Sequence, residues 1–200
     1  EFAGLKVGRF VDPFRVAKLE ENKSAFSFLI PSANIKWRSN RAVRESFRAL
    51  LDKQFLGNSM RFDDENYKSS LRPTLFHLAS KRPGEMGTDD PHILKIHKCP
   101  SCGQGPIVLE DTIDQQHCDC GAELYPTDCL RLWEEVKEYQ SNRAVMNRLM
   151  MVLEHLIPIH YIRYFYQKSP LILSEMGFFI DGPLAVFGTA AWLHRSIMIF

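Results

Sequence analysis

The spacing of four cysteines constrains this chain more than any other feature. Cys99-Pro-Ser-Cys102-Gly103 is followed, one hairpin's length further on, by His117-Cys118-Asp-Cys120-Gly121. A two-residue spacer lets both thiolates of a tight turn face one tetrahedral ion. The glycine after the second cysteine accepts the turn's backbone angle, and two such turns close the site. Four protein ligands leave no open position, so the expectation is a structural Zn²⁺ held by Cys99, Cys102, Cys118 and Cys120. Such a site does no chemistry; it folds an insert too small for a core of its own. The second turn departs from the regular pattern, because Cys118 and Cys120 have one residue between them whereas His117 and Cys120 have two. His117 therefore stands as the alternative to Cys118, imidazole being an equally good zinc ligand. A disulfide framework is the competing explanation, at odds with an otherwise cytosolic-looking chain. Cys129 lies outside both turns and is expected in a buried helix.

A chain of 200 residues can hold one main domain and a small insert. The cysteines then divide it into an N-terminal part of the main domain (1–91), a zinc-ribbon insert (92–125) and a C-terminal part (126–200). Hydrophobic residues at 45% and charged residues at 24% argue against disordered and fibrous classes. With a net charge of only +1, any nucleic-acid surface must come from local clustering. The most apolar stretch, 183–200, is interrupted by His194 and Arg195, and no secretory leader pattern opens the sequence. A cytoplasmic protein without a membrane partner is expected. The start at Glu1-Phe2 and the apolar finish at Ile197-Met-Ile-Phe200, which ought to lie in a sheet, suggest a piece of a longer protein.

Residues 2–11 and 25–30 read as strands, ended by Asp12-Pro13 and Pro31. From 39 to 57 the period becomes helical, with Val43, Phe47, Leu50, Leu51 and Phe55 on one face, Asn40 as a cap and Gly57 as a stop. The other side carries Arg38, Arg41, Arg44, Arg48 and Lys53, either a solvated face or a track for a phosphate backbone. Residues 58–91 read as a connector with one short helix near 75–80. The longest helical region is expected from 123, with Pro126 and Thr127 or Asp128 as start signals and Leu130, Trp133 and Val136 at helical spacing. Val145, Leu149, Val152, Leu153 and Leu156 continue the pattern until Pro158, which should break or kink it. Residues 170–173 return to strand-like composition, and Phe178-Phe-Ile180 reads as a buried strand stopped by Gly182-Pro183. This succession predicts an α/β or α+β domain.

Candidate chemistry rests on carboxylates. Asp181, at the C-terminal tip of the last strand, would be rigidly held yet face the surface, as a divalent-cation site requires. The plainer account is an Asp-Gly turn closed on its own backbone. Asp128 fits a helix-start acid interacting with the helix dipole, or a second metal ligand. Glu134 and Glu135 fit a solvated face, and Glu154-His155 an exposed polar pair. Tyr161, Arg163, Tyr164 and Tyr166 fit core packing beside cations, or a surface that stacks on nucleic acid. No Walker loop, Gly-x-Ser-x-Gly elbow or His-Glu-x-x-His motif is present.

Three runs carry a family resemblance: Cys120-Gly-Ala-Glu-Leu-Tyr-Pro-Thr-Asp-Cys-Leu-Arg131; Asn142-Arg143 with Met150-Met-Val-Leu-Glu-His155; and Phe179-Ile-Asp-Gly-Pro-Leu-Ala-Val-Phe-Gly188 with Ala191-Trp-Leu193. Together they resemble the NurA nuclease family over the second half of the chain. The resemblance implies a ribonuclease H-like mixed sheet with flanking helices and a Mn²⁺- or Mg²⁺-dependent nuclease that processes duplex DNA ends. It also implies a hexameric HerA-type ATPase as partner, in DNA repair or phage defence, and makes a homodimer plausible. Asp181 looks like an acid of the active-site cleft and Asp128 like a second position near it. The family's first-strand Asp-Gly-Ser motif is not found, which leaves a principal metal ligand unassigned. The zinc insert is not a general feature of the family. Arg41, Arg44, Arg48 and Arg163 are the expected phosphate-tracking residues. The rival expectation is a non-catalytic zinc-ribbon adaptor that binds DNA or a protein partner.

Overall fold

A computed structural model describes residues 2–7, 24–29, 42–57, 60–61, 68–113, 115–138, 141–168, 170–178 and 185–200. Helix α1 (Val43–Gly57) buries the five apolar residues of its predicted stripe, Val43, Phe47, Leu50, Leu51 and Phe55. Each such side chain contributes roughly 2 kcal/mol by leaving water. The helix ends at Gly57, while the expected cap Asn40 lies outside the described residues. Helix α2 (Arg72–Ser80) begins earlier than predicted, with Pro73 in its first turn where a missing N–H has no helical acceptor to lose, and buries Leu75, Phe76, Leu78 and Ala79.

The long helix α3 (Arg143–Lys168) runs through Pro158, correcting the expected break. Val152, Leu153 and Leu156 before the proline and Ile157, Ile159 and Tyr161 after it are all buried, so packing on both sides outweighs one lost backbone bond. The short α4 (Pro170–Leu173) and α5 (Trp192–Ile199) replace the strands expected at 170–173 and 197–200. Short apolar runs do not distinguish the two states by period. Phe178 is not in a strand, and the rest of the Phe178-Phe-Ile180 run lies outside the described residues.

The helix expected from 123 is also corrected. Leu130, Trp133 and Val136 are buried as their spacing predicts. They lie, however, on and just beyond two 3-10 turns, Pro126–Leu130 and Leu132–Glu135. Arg131 between them has φ 58°, the left-handed region, which no α-helix can contain.

The described strands form four two-stranded antiparallel ladders: β1 (Phe2–Val7) with β2 (Ser24–Leu29), β3 (Met60–Arg61) with β4 (Lys68–Ser69), β5 (Ile93–Ile96) with β6 (Ile107–Glu110), and β7 (Gln116–His117) with β8 (Glu123–Leu124). In the first ladder Phe2 stands opposite Leu29 and Val7 opposite Ser24. Helices with small antiparallel sheets make this a mixed, α+β architecture. A larger mixed sheet does not occur among the described residues.

The cysteine hairpins dock on the helical body through β5. Leu94 and Ile96 alternate inward and are fully buried, and the strand packs against α2 and the 3-10 turn Pro126–Leu130. Arg72 of α2 adds a polar tie, donating from Nη2 to the carbonyls of Asp111 (3.3 Å) and Ile113 (3.2 Å) just beyond β6.

Candidate metal centre

Each hairpin delivers one pair of cysteines from the turn that joins its strands. In the first turn Gly103 N–H donates to the Cys99 carbonyl (3.0 Å) and Cys99 N–H to the Gln104 carbonyl (2.7 Å). In the second, Gly121 N–H donates to the Cys118 carbonyl (2.8 Å) and Cys118 N–H to the Ala122 carbonyl (2.9 Å). The second turn is closed by an i to i+3 bond where the first uses i to i+4, so one residue fewer between its cysteines still presents both sulfurs. Gly103 and Gly121, at φ 78° and 83°, supply the left-handed conformation that a Cβ would strain.

The Sγ atoms of Cys99, Cys102, Cys118 and Cys120 all lie within 4.8 Å of one another. Two of the separations, Cys99 to Cys120 and Cys102 to Cys118, are 3.7 Å. A tetrahedron of sulfurs about 2.3 Å from a zinc ion has edges of roughly 3.8 Å, so this donor set fits a metal such as zinc. His117 lies exposed on β7 and is not one of the four clustered residues. The backbone N–H of Ala122 is the largest influence on Cys120 and holds its pKa down to about 7. At Cys118 the N–H of Cys120 pulls the same way, but desolvation and the neighbouring thiols push the pKa up to about 12. A dication reverses that competition, because it stabilises all four thiolates at once. With all four sulfurs on one ion the ligand set would be closed, holding structure together and offering no position to a substrate.

The acids and arginines named from the sequence are distributed differently. Asp128 and Arg48, both side chains 1% exposed, form a bidentate pair: Nε donates to Oδ1 at 2.8 Å and Nη2 to Oδ2 at 2.7 Å. Asp128 Oδ2 also accepts the Tyr125 N–H (2.9 Å), closing a capping box on the 3-10 turn that starts at Pro126. Arg48 donates further to Glu45 Oε2 (2.8 Å) and to the Glu123 carbonyl (2.6 Å), and lies 5.1 Å from the centre of the Tyr125 ring.

Two expectations are corrected by this geometry. Asp128, with both oxygens taken and no solvent access, is a turn-capping acid and not a cleft ligand. Arg48 is sealed inside and cannot reach a phosphate. Burial pushes the Asp128 carboxyl up against the pull of Arg48. Burial works to lower Arg48, yet the bonds and charges of Asp128 and Glu45 raise it above the ordinary arginine value. Asp52, one helical turn after Arg48, is a buried acid that spacing gave no reason to single out; it accepts a bond from Thr127 Oγ1 at 3.3 Å.

Of the remaining named residues, Asp181 and Arg41 lie outside the described residues. Arg44 is exposed on α1 and lies over the Trp133 ring at 5.6 Å. Arg163 donates from Nη1 to Thr74 Oγ1 (2.9 Å), which also bonds Nδ1 of buried His160 (2.7 Å). Glu134 pairs with Arg131 and Lys98, and Glu135 with Arg148. His155 Nδ1 bonds the Met151 carbonyl at 2.8 Å. Tyr161 is buried and stacks on Phe165, whereas Tyr166 is exposed. No helix among the described residues is long and apolar enough to cross a membrane.

No family model matches this chain, and neither does any curated protein or solved structure.

Proposed function

We propose that this chain is the zinc-stapled core of a metal-dependent DNA nuclease of the NurA type. The observation that carries the proposal is the meeting of the runs that resemble that family. Trp192 Nε1 donates to the Cys129 carbonyl (3.2 Å) and Thr189 Oγ1 to the Leu130 carbonyl (3.2 Å), joining the Ala-Trp-Leu run to the Tyr-Pro-Thr-Asp turn. Phe187 N–H reaches Met151 Sδ at 3.4 Å, joining the segment after Asp-Gly-Pro-Leu to α3. Asn142 closes the connection, exchanging bonds with the Lys137 backbone at 2.8 and 3.1 Å as it leads into α3.

In this proposal Zn²⁺ occupies the four-cysteine centre and Asp181 is the acid of the cleft. A Mn²⁺ or Mg²⁺ ion would activate water there and stabilise the charge that develops on the phosphate. Because Asp128 has no oxygen to spare, Asp181 requires partner acids other than Asp128. A ribonuclease H-like core, a HerA-type ATPase partner and a role in DNA end repair or phage defence belong to the same proposal. The sequestered Asp128 favours a second possibility, a non-catalytic zinc-ribbon adaptor for DNA or a protein.

Degradation of linear duplex DNA by the full-length protein, with Mn²⁺ or Mg²⁺ and with or without the ATPase, separates the two. The nuclease predicts that Asp181→Asn keeps its zinc and its fold and loses cleavage. An adaptor predicts that neither the parent nor Asp181→Asn cuts, and that Cys99→Ser alone abolishes partner binding.

A further inference from the structure

Arg82, just beyond the end of α2, is a half-buried cation that pairs with no carboxylate among the described residues. Its guanidinium lies 4.7 Å from the centre of the Trp192 ring, and its Nη1 atom is buried with no hydrogen bond among the described residues. Burial lowers its pKa, and Arg131 and Arg195 lower it further against an opposing contribution from Cys129. Collecting cations around a desolvated guanidinium is unfavourable unless an anion completes the arrangement.

The neighbours extend this cluster in one direction. Arg195 is exposed one helical turn after Trp192 on α5 and makes no ion pair among the described residues. Arg131 is pinned by Glu134, whose Oε1 and Oε2 accept from its Nε (2.7 Å) and Nη2 (2.9 Å). Glu134 also binds Lys98 at 3.4 Å, and Lys98 and Arg44 each lie 5.6 Å from the centre of the Trp133 ring. Trp133 and Glu134 thus join Arg44, Lys98 and Arg131, while Arg82 lies over Trp192, whose Nε1 bonds the Cys129 carbonyl two residues before Arg131 and which Arg195 follows by one turn on α5. Glu134 is the acid shared within this set. On a chain of net charge +1, such a string is a local concentration of positive charge.

Resting on the nucleic-acid proposal above, we infer that Arg44, Lys98, Arg131, Arg82 and Arg195 form the surface that takes the phosphodiester backbone of DNA. The string crosses α1, the edge of the cysteine module, a 3-10 junction, the end of α2 and α5, which suits an extended polyanion better than one small anion. Trp133 and Trp192 lie beneath the cations and are 6% and 3% exposed, so their rings brace arginines and lysine and do not stack on bases. Contact is therefore with phosphates and independent of sequence. Of the α1 stripe expected from the sequence, Arg44 belongs to this surface and Arg48 is buried, while Arg38 and Arg41 lie outside the described residues.

The test is fluorescence anisotropy of a labelled DNA duplex over a salt series with no added divalent cation, so that no cleavage occurs. Arg44→Ala and Arg195→Ala remove exposed side chains, and zinc content and thermal melting should match the parent. Each is expected to reduce the slope of log K against log salt by about 0.9, and the double charge reversal Arg44→Glu with Arg195→Glu to weaken binding by at least about 10-fold. Unchanged slopes and affinities in folded variants, or a parent that does not bind DNA, would overturn the assignment. Cleavage by the parent with Mn²⁺ is read separately from these metal-free affinities, so failure of the nuclease proposal and failure of this surface give different results.

Discussion

The cysteine module and the buried Arg48–Asp128 pair solve the same problem with different partners. Both gather groups that cannot be desolvated alone. In the module the four sulfurs lie within 4.8 Å of one another, a set that fits an ion supplied from outside the chain. In the helical body each charge finds its counterpart in the chain itself, 80 residues away. A metal site must have short, regular spacing, because each turn has to present two ligands at once. A side-chain pair carries no such constraint, since the fold brings its members together from any distance.

The largest expected effect comes from removing the external partner. Zinc bound to such a module contributes on the order of 10 kcal/mol or more to its folding, and the hairpins bury few side chains besides Leu94, Ile96, Leu109 and Leu124 to replace it. Chelation, or Cys118→Ser, should release the metal and abolish amide exchange protection across 93–124. Protection within α3, whose core is its own packed face, should persist. Simultaneous loss of α1 and α3 would show that the two regions form one cooperative unit, and the contrast between them would fail.

Removing an internal partner should cost less but still be severe. Arg48→Met leaves Asp128 buried without its counter-charge, and breaking such a pair costs about 3–5 kcal/mol. Asp128→Asn should cost less, because the amide oxygen still accepts the Tyr125 N–H and Arg48 keeps Glu45. Urea midpoints of the two variants give the order. If Arg48→Met were neutral near pH 7, Asp128 would not depend on the arginine, and a ligand role for it would reopen.

This difference explains what could be read in advance. The four cysteines follow from spacing, and α1 and the buried face of α3 follow from apolar period, because local geometry determines both. The Arg48–Asp128 pair was invisible, since nothing local links a helix residue to an acid across the chain. By sequence Arg48 belongs to the same basic stripe as Arg44 and Lys53, which are exposed. Burial at Leu130, Trp133 and Val136 is the same in a helix and in two 3-10 turns, so spacing alone does not separate them. Only the left-handed backbone at Arg131, held by its bidentate bond to Glu134, separates them. At α4 and α5 the apolar runs were too short for period to distinguish helix from strand. Asp181, on which the catalytic proposal turns, lies outside the described residues, and its role rests on resemblance.

The smallest effect sharpens the comparison most, because the two regions should respond to pH with opposite signs. Burial, the largest influence on Asp52, pushes its pKa from 3.8 to about 6, against the attraction of Arg72 and the Thr127 N–H and with a further push from the Asp128 charge. Its folded pKa exceeds its unfolded value, so the folded state holds the proton more tightly. The resulting stabilisation is complete below the unfolded pKa and is lost as pH rises through about 6, a change of up to about 3 kcal/mol. The cysteine centre runs the other way, because acid protonates the thiolates and releases the metal. Asp52→Asn keeps an acceptor for Thr127 and removes the buried charge. It should therefore stabilise the helical body by about 1–2 kcal/mol near pH 7 and change little near pH 4, while zinc retention follows the parent at every pH. Denaturation followed by helical circular dichroism, beside a zinc titration, reads both quantities. An equal effect of the substitution at the two pH values would mean that Asp52 ionises like an exposed acid, and the opposition between the two regions would be lost.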